Sequence, residues 1–314
     1  LDEDGFVIHR TPAPRGQSLP WQPLAERAFV DAALGETTPD PRWPVGEAEA
    51  LRRLHAFLDQ GVLDYGETRD FPAMAGTSVL SPYLAAGIIS PRQCVAALQQ
   101  RLGGRPQSKA QPGFVWLNEL IWREFYRHLL VLIPTLSMNR PFKPETVALP
   151  WSWDPDAFAA WCEGRTGYPI VDAAMRCLNA TGWMHNRLRM IVASFLTKDL
   201  HIHWRLGEDY FMSRLIDGDL AANNGGWQWA AGTGADAAPY FRVFNPTTQG
   251  QRFDPQGDFI RTWVSELADL PATYVHQPHD WLRLKGRQDY PAPMVDHAVA
   301  RVRAIEMFRD LEKT

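Results

Sequence analysis

The densest run of residues able to do chemistry is Ile216-Asp-Gly-Asp-Leu-Ala-Ala-Asn-Asn-Gly-Gly-Trp-Gln-Trp229. Asp219 and Asn223 are four apart, so both fall on one face of a helix. Gly225 and Gly226 each cost about 1 kcal/mol inside a helix. Their presence predicts that something approaches that backbone closely; a capped, kinked helix with no ligand is the plain alternative. In Met184-His-Asn-Arg-Leu-Arg-Met190, Asn186 and Met190 share a face, and Arg187 and Arg189, counted with Lys198, make a local charge of +3. A buried helix seldom carries arginines without partners. Asp217 or a phosphate would supply one, and ordinary surface arginines are the other reading. Trp116-Leu-Asn-Glu-Leu-Ile-Trp-Arg-Glu-Phe-Tyr-Arg127 mixes large aromatics with Glu119, Arg123, Glu124 and Arg127. That mixture suits a stacked planar ring beside a phosphate, and equally a core helix with internal ion pairs. Thr77-Ser-Val-Leu-Ser81 puts hydroxyls at a helix entrance, where free N–H groups favour an anion, although simple capping explains it as well. His201 and His203 lie two apart in a polar stretch and read as surface residues. Cys94, Cys162 and Cys177 are far apart and odd in number, so they read as reduced thiols, with no disulfide frame and no metal spacing.

The elements that must position these residues are helical. Glu47–Gln60 has an amphipathic 3.6-residue period. Ser81-Pro82 and Ser90-Pro91 are cap-plus-proline starts for helices over 83–86 and 92–102. Phe114–Leu132 is long and apolar, and residues 103–112 read as a loop. Further helices are expected over 154–163, 170–180, 184–198, 208–216 and 220–231. A loop-rich stretch over 240–258 follows, then helices over 259–267 and 294–311. Alternating strand patterns are scarce and no repeat is present, so the class is all-α, a large multi-helix domain. Residues 1–46 hold seven prolines and read as an interdomain linker with one short helical pattern over 23–34, leaving 47–314 as the helical domain. The first residue is Leu, which fits a piece of a longer chain.

Composition bounds the function. At 314 residues, 45% hydrophobic and 22% charged, the chain can bury a large core and is not disordered. The most apolar run, Leu129–Ile133, is far too short to cross a membrane, and no signal-peptide pattern opens the sequence. Of 32 basic residues 27 are Arg, which suits bidentate phosphate contacts; a GC-rich genome produces the same bias. The net charge is −4, so any nucleic-acid site must be a local patch. Residues 29–70 carry nine acids against four Arg, and that stretch is not expected to dock DNA.

Taken together, these segments with Thr166-Gly-Tyr-Pro-Ile-Val-Asp-Ala-Ala-Met-Arg176 and Gly182-Trp-Met-His-Asn-Arg-Leu-Arg-Met190 resemble the photolyase/cryptochrome family. The resemblance runs from about residue 45 to the end, over that family's flavin-binding helical domain, and looks closest to bacterial class I cyclobutane pyrimidine dimer photolyases. It implies bound FAD in a U shape. Tyr65 and Thr77, Ser78, Val79, Leu80 and Ser81 match positions holding the phosphates and ribityl chain, and Trp116 matches a pocket aromatic. Arg189 and Asp217 match an ion pair beside the isoalloxazine. Gly218 lies between Asp217 and Asp219, which matches a ring hydrogen-bonding position, and Asn223 matches the residue facing flavin N5. Val79 departs from the family, where a basic residue is common, which implies a somewhat weaker hold on phosphate, with the helix N-terminus remaining. On the substrate side, Glu119, Trp122, Asn186, Met190 and Trp229 match the pocket for a flipped dimer, and Arg69, Arg123, Arg187 and Gln249 match DNA contacts. Trp151, Trp204 and Trp227 match the family's electron relay to the flavin.

Within the family, the (6-4) photolyases have histidines where this chain has Asn186 and Met190, and plant or insect cryptochromes have an acid or a Cys at the Asn223 position. The branch that usually lacks Trp229 is also excluded. The resemblance therefore implies light-driven repair of pyrimidine dimers in DNA by electron transfer from reduced FAD. The alternative is a cryptochrome-like blue-light photoreceptor with the same flavin and no repair. An antenna chromophore such as a folate or deazaflavin belongs to the family's N-terminal α/β domain, which has no counterpart here beyond the linker. A monomer, cytoplasmic and associated with bacterial DNA, with no metal, completes the expectation.

Overall fold

Apolar stripes at helical spacing become helices here, some opened by a side-chain cap, as at Ser90, Asp154, Asp219 and Asn245, and others, as at Gly46 and Gly113, without one. The computed structural model describes residues 40–237 and 239–311. The chain divides into two units, Leu1–Val45 and Gly46–Thr314. Nearly all of the expected linker, and its 23–34 helical pattern, lies outside the described residues; within the described part of that unit Arg42 clasps Asp40 at 2.5 Å. Among the described residues there is no strand, only a single bridge between Ser152 and Ile202. The expected all-α class is what is observed.

In the second unit, α1 (Glu47–Gln60) buries Ala50, Leu54, Phe57 and Leu58, the i, i+4, i+7, i+8 stripe of an amphipathic helix. Two short helices follow, α2 (Tyr65–Thr68) and α3 (Ser81–Ala85). α4 (Pro91–Leu102) opens on a capping box: Ser90 Oγ accepts from the Gln93 N–H at 3.2 Å, and the Gln93 side chain accepts from the Ser90 N–H at 2.7 Å. α5 (Phe114–Leu132) closes this first core with Trp116, Leu117 and Leu120. Beyond it come α6 (Pro155–Glu163), α7 (Pro169–Thr181), α8 (Asn186–Ser194), α9 (Trp204–Arg214) and α10 (Leu220–Ala231). The remainder are α11 (Pro246–Phe253), α12 (Asp258–Trp263), α13 (Ala272–Val275), α14 (His279–Leu284) and α15 (His297–Leu311). Their shared core centres on Trp161, Phe195, Trp204, Phe211 and Trp227. Each fully buried indole there contributes about 4–6 kcal/mol of transfer free energy before ordering costs are counted.

Several expectations need correction. Ser81 is the first residue of its helix and not its cap, the helix expected over 259–267 ends at Trp263 with a separate turn over Ser265–Leu267, and the one expected over 294–311 starts at His297. The stretch over 240–258 is not merely loop, since Asn245 caps α11 by accepting from the Thr248 N–H at 3.0 Å, with Pro246 in the first turn. The helix expected over 184–198 starts at Asn186 and gives way to a π-helical turn over Phe195–Asp199, where Leu200 N–H reaches back to Phe195 O and Thr197 Oγ1 donates to Ala193 O. The helix expected over 208–216 runs instead from Trp204 to Arg214, because His203 caps it. His201 is not a surface residue: it is buried, in a left-handed conformation, with Nε2 against Ala300 O at 3.1 Å.

Candidate functional site

Two helices carry most of the candidate residues, and one glycine decides how closely they meet. A Cβ on Gly225 would stand 2.1 Å from the Tyr126 ring, so the α5–α10 contact exists only because Gly225 lacks one. Gly226 is different: a Cβ there would meet nothing within 4 Å. The expectation that something approaches both glycines thus holds for Gly225, whose neighbour is Tyr126, while Gly226 borders open space. On that same helix Asn223 stands one turn before Gly226 and Trp229 one turn after.

At the start of α10, Asp219 accepts from the Ala222 N–H at 3.1 Å and from Arg127 Nη2 at 2.6 Å. Burial opposes its ionisation, but the Arg127 guanidinium and that N–H prevail and hold its pKa below the usual carboxylate value. Asp217, almost wholly buried, takes Arg189 Nη2 at 2.7 and 3.0 Å, and Arg189 Nε donates to Met184 O at 2.8 Å. The expected Arg189–Asp217 pair is therefore present. The Asn223 amide N–H donates to Glu208 O at 3.0 Å, leaving its Oδ1 as an acceptor. Behind it a buried chain runs from Phe142 N–H to Gln228 Oε1, from Gln228 Nε2 to Asn224 Oδ1, and from Asn224 Nδ2 to Glu208 Oε1. Burial raises the Glu208 pKa against that last bond.

A second cluster joins α2, α5, α8 and α11. Glu119 pairs with Arg69 at 2.5 Å, Arg69 lies 3.9 Å from Asp70, and Asp70 pairs with Arg187 at 2.8 Å. The Arg187 guanidinium also stacks 4.3 Å over the Phe253 ring, one turn beyond Gln249 on α11. The acidic stretch over 29–70 is expected to stay away from DNA, yet its last two residues, Arg69 and Asp70, belong to this cluster. Asn186 is exposed and donates weakly to Met190 Sδ at 3.9 Å. Trp122 is exposed, edge-on to Phe125 at 5.3 Å, one turn before Tyr126. Trp229 is half-buried, 6.4 Å from Phe244. Arg123 turns inward, its Nη2 donating to Leu84 O at 2.9 Å and its Nη1 to Glu124 at 2.6 Å.

The Thr77–Ser81 segment is pinned from behind. Gly76 presses on Thr68 so tightly that a Cβ would lie 2.7 Å from Thr68 O. Val79 adopts φ 49°, a left-handed conformation that a β-branched residue rarely takes. Leu80 is buried, and Ser81 Oγ accepts from Trp183 Nε1 at 3.1 Å. Tyr65 and Trp116 are both buried against Phe57. Lys198 does not join the arginines. It is buried behind α10, donating to Ala231 O at 2.9 Å and lying 3.9 Å over Phe308, and burial pulls its pKa down to about 7.

The three candidate relay tryptophans are linked by intervening groups. Trp227 fills the space over Gly207, where a Cβ would lie 2.1 Å from its ring, and Trp204 stands one turn earlier on the same helix as that glycine. Trp151 lies 5.3 Å from the His203 ring, itself 5.7 Å from Trp204. Arg127, read from the sequence only as a charge beside aromatics, holds Asp219; the residues that sequence reading passes over are Glu208, which holds Asn223, and His185, whose Nδ1 accepts from the Arg187 N–H to cap α8. Histidine ranks low as a cap, so neither His185 nor His203 signals one.

The family described as the FAD binding domain of DNA photolyase matches residues 116–310. A deoxyribodipyrimidine photo-lyase of Escherichia coli K12 is 58% identical over 273 residues, covering 86% of this chain and 57% of that protein. One from Salmonella typhimurium is 55% identical over 302 residues, covering 94% of this chain and 61% of that protein. A bacterial class III photolyase from Agrobacterium tumefaciens superposes with a TM-score of 0.82 at 43% identity, over 90% of this chain and 61% of that one. A Synechocystis cryptochrome does so at 0.76 and 36%, over 86% of this chain and 60% of that one. This chain spans about three-fifths the length of the curated relatives it matches. With the family match extending over more than half of the chain, and with relatives more than half identical, it belongs to the DNA photolyase family, in the part that the family devotes to binding FAD.

Proposed function

We propose that this chain binds one FAD non-covalently and, so loaded, repairs cyclobutane pyrimidine dimers in DNA under light. The observation that carries the proposal is α10: Asp219 fixed by Arg127, Asn223 offering Oδ1 as an acceptor, and the unobstructed backbone at Gly226, all beside the buried Arg189–Asp217 pair. The donor set fits a flavin. A planar ring with ring N–H and carbonyl groups asks for alternating acceptors and donors, and Asp219, Asn223 and Arg189 supply them. Thr77, Ser78 and Ser81 offer hydroxyls for phosphates, with Val79 supplying the turn in place of a cation. Tyr65 and Trp116, buried against Phe57, would back the ribityl and phosphate side, and Gly218 stands between the two carboxylates Asp217 and Asp219.

A bound, reduced flavin would supply the light-activated electron for splitting the dimer's two carbon–carbon bonds, with no net redox change. The protein's part is binding and orientation. Trp122 and Trp229 stack on the compact apolar dimer, and Glu119, held by Arg69, hydrogen-bonds a base edge. Asn186 and Met190 line the pocket without a titrating group, which supports dimer repair over (6-4) chemistry. Arg69, Arg187 and Gln249 face the phosphates, with Arg123 bracing the pocket from within. Photolyases are among the enzymes that take their target out of the stack, and damage weakens stacking, so extruding the lesion costs less than the few kcal/mol of a normal base. Trp227, Trp204 and Trp151 carry electrons inward when the flavin is oxidised. The protein acts as a monomer on DNA in the cytoplasm, and an antenna chromophore would sit outside this unit.

The test is direct. Denaturation should release a flavin of FAD's mass, and light should remove thymine dimers from an oligonucleotide only with the flavin reduced. Flavin binding without dimer loss would favour a photoreceptor; no flavin, even after added FAD, would overturn the proposal.

A further inference from the structure

His203 caps α9 and also borders two of the candidate relay tryptophans. Its Nδ1 accepts from the Arg205 N–H at 3.2 Å, so the ring proton sits on Nε2. Its ring lies between two indoles on different elements: 5.3 Å from Trp151, tilted 52°, and 5.7 Å from Trp204, tilted 32°. The Trp151 segment is tied to the same place, because Ser152 N–H donates to His201 O at 2.8 Å in the bridge with Ile202. One conjugated ring, fixed by the Arg205 N–H, thus borders both indoles. Burial, with the Arg205 charge, keeps the imidazole pKa below its ordinary value, so the ring is uncharged at neutral pH. A cation there would oppose the positive charge an oxidised indole carries.

We propose that His203 is the bridging, positioning residue of the tryptophan relay, setting the electronic contact between Trp151 and Trp204. This rests on the relay reading above. The step it assists is one electron moving from Trp151 to the Trp204 radical cation; Trp204 is restored, Trp151 becomes the radical cation, and His203 neither gains nor loses a proton. The electron that first left the relay is taken by photoexcited oxidised flavin.

Two variants of the FAD-loaded chain separate bridging from capping. His203→Asn keeps a good cap acceptor and removes the ring; His203→Phe keeps a ring and removes the acceptor. After a laser flash, His203→Asn should melt like the parent yet lose most of the long-lived Trp151 radical. His203→Phe should melt lower yet keep the parent's radical yield. A merely structural role makes radical yield follow melting temperature in both, and that result, or a parental yield in His203→Asn, overturns the proposal. Trp151→Phe is the control: if it photoreduces like the parent, the relay reading itself fails and His203 falls with it. Independently of the flavin's activity, the His203 ring resonances of the parent should show the Nε2–H tautomer and shift in Trp151→Phe; an Nδ1–H tautomer or no shift refutes the arrangement.

Discussion

Adjacent glycines on α10 should respond oppositely to the same added methyl group. In Gly225→Ala the new Cβ would lie 2.1 Å from Tyr126 Cδ1, 2.3 Å from Cε1 and 2.8 Å from Cγ. That is more than an ångström inside ordinary contact, and it involves the root of the ring as well as its edge. The ring cannot simply swing away, because it packs 5.4 Å from Phe125 and 6.3 Å from Trp122. Overpacking costs about 1–3 kcal/mol; a contact this close belongs at the top of that range, and up to about 1 kcal/mol of helix propensity leaves a net loss of about 2–3 kcal/mol. At roughly 2–4 °C per kcal/mol for a domain of this size, the melting temperature should fall by several degrees. Gly226→Ala meets nothing within 4 Å, so without flavin it should gain up to about 1 kcal/mol. It also fills the space assigned to the flavin. Each tenfold loss of FAD affinity removes about 1.4 kcal/mol of ligand stabilisation at saturating ligand. The assay is a melting series over FAD concentration for the parent and both variants. Gly225→Ala should start lower and keep the parent's increment with FAD; Gly226→Ala should start higher and lose part of it. If Gly226→Ala keeps the full increment, α10 does not face the flavin there. If Gly225→Ala melts like the parent, Tyr126 does not set the α5–α10 distance.

Trp227→Phe should block photoreduction of oxidised flavin, yet still split dimers once reduced chemically; Trp229→Ala should weaken dimer binding about tenfold to a hundredfold by removing a stacking surface of roughly 1–3 kcal/mol, with photoreduction intact. Flavin absorbance measured beside dimer loss checks both, and equal loss of both activities in both variants would undo the division of roles. Arg187→Ala should weaken damaged and undamaged DNA alike, and it should flatten the slope of log affinity against log salt by about 0.9 for each phosphate it no longer neutralises. An unchanged slope would leave Arg187 to its Asp70 pair alone. His185 is buried, and burial lowers its pKa to about 4 from 6.5. Its neutral form is the one that caps α8, so stability is complete above pH 6.5 and is lost as pH falls toward 4, by at most about 1.4 kcal/mol per pH unit. His185→Asn, a cap that does not titrate there, should flatten that part of the stability profile, and identical profiles would refute it.

How much is legible in the sequence depends on whether a residue's partner lies nearby in the chain. The helices over Glu47–Gln60, Phe114–Leu132 and Leu220–Ala231 fall where the sequence places them, since an apolar stripe is a local property. The helix starting at Pro246 carries the same cap-and-proline start as the one at Pro91, but its apolar stripe is too short to stand out in a loop-rich stretch. His185 and His203 start helices through a ring nitrogen, and no cap ranking anticipates that. Arg189 pairing with Asp217, 28 residues on, is foreseeable only because an arginine on a buried helix demands a partner. The same rule cannot tell that Lys198 satisfies itself on Ala231 O and Phe308, nor that Arg127 crosses to Asp219, 92 residues away.

That long-range pairing bears on how the proposed DNA-binding face would work in a chain of net negative charge. Arg69, Arg127, Arg187 and Arg189 are each matched to a carboxylate, so these four charges are largely neutralised within the protein. Pairing orients these arginines at the cost of their net field. Their remaining N–H groups can still donate, and a guanidinium has five. Selectivity for phosphate would then come from placed donors more than from attraction at a distance. This is consistent with a chain of net charge −4 that nonetheless concentrates its basic side chains as Arg, and it predicts a salt slope set by the few arginines in the cluster and not by the charge of the whole.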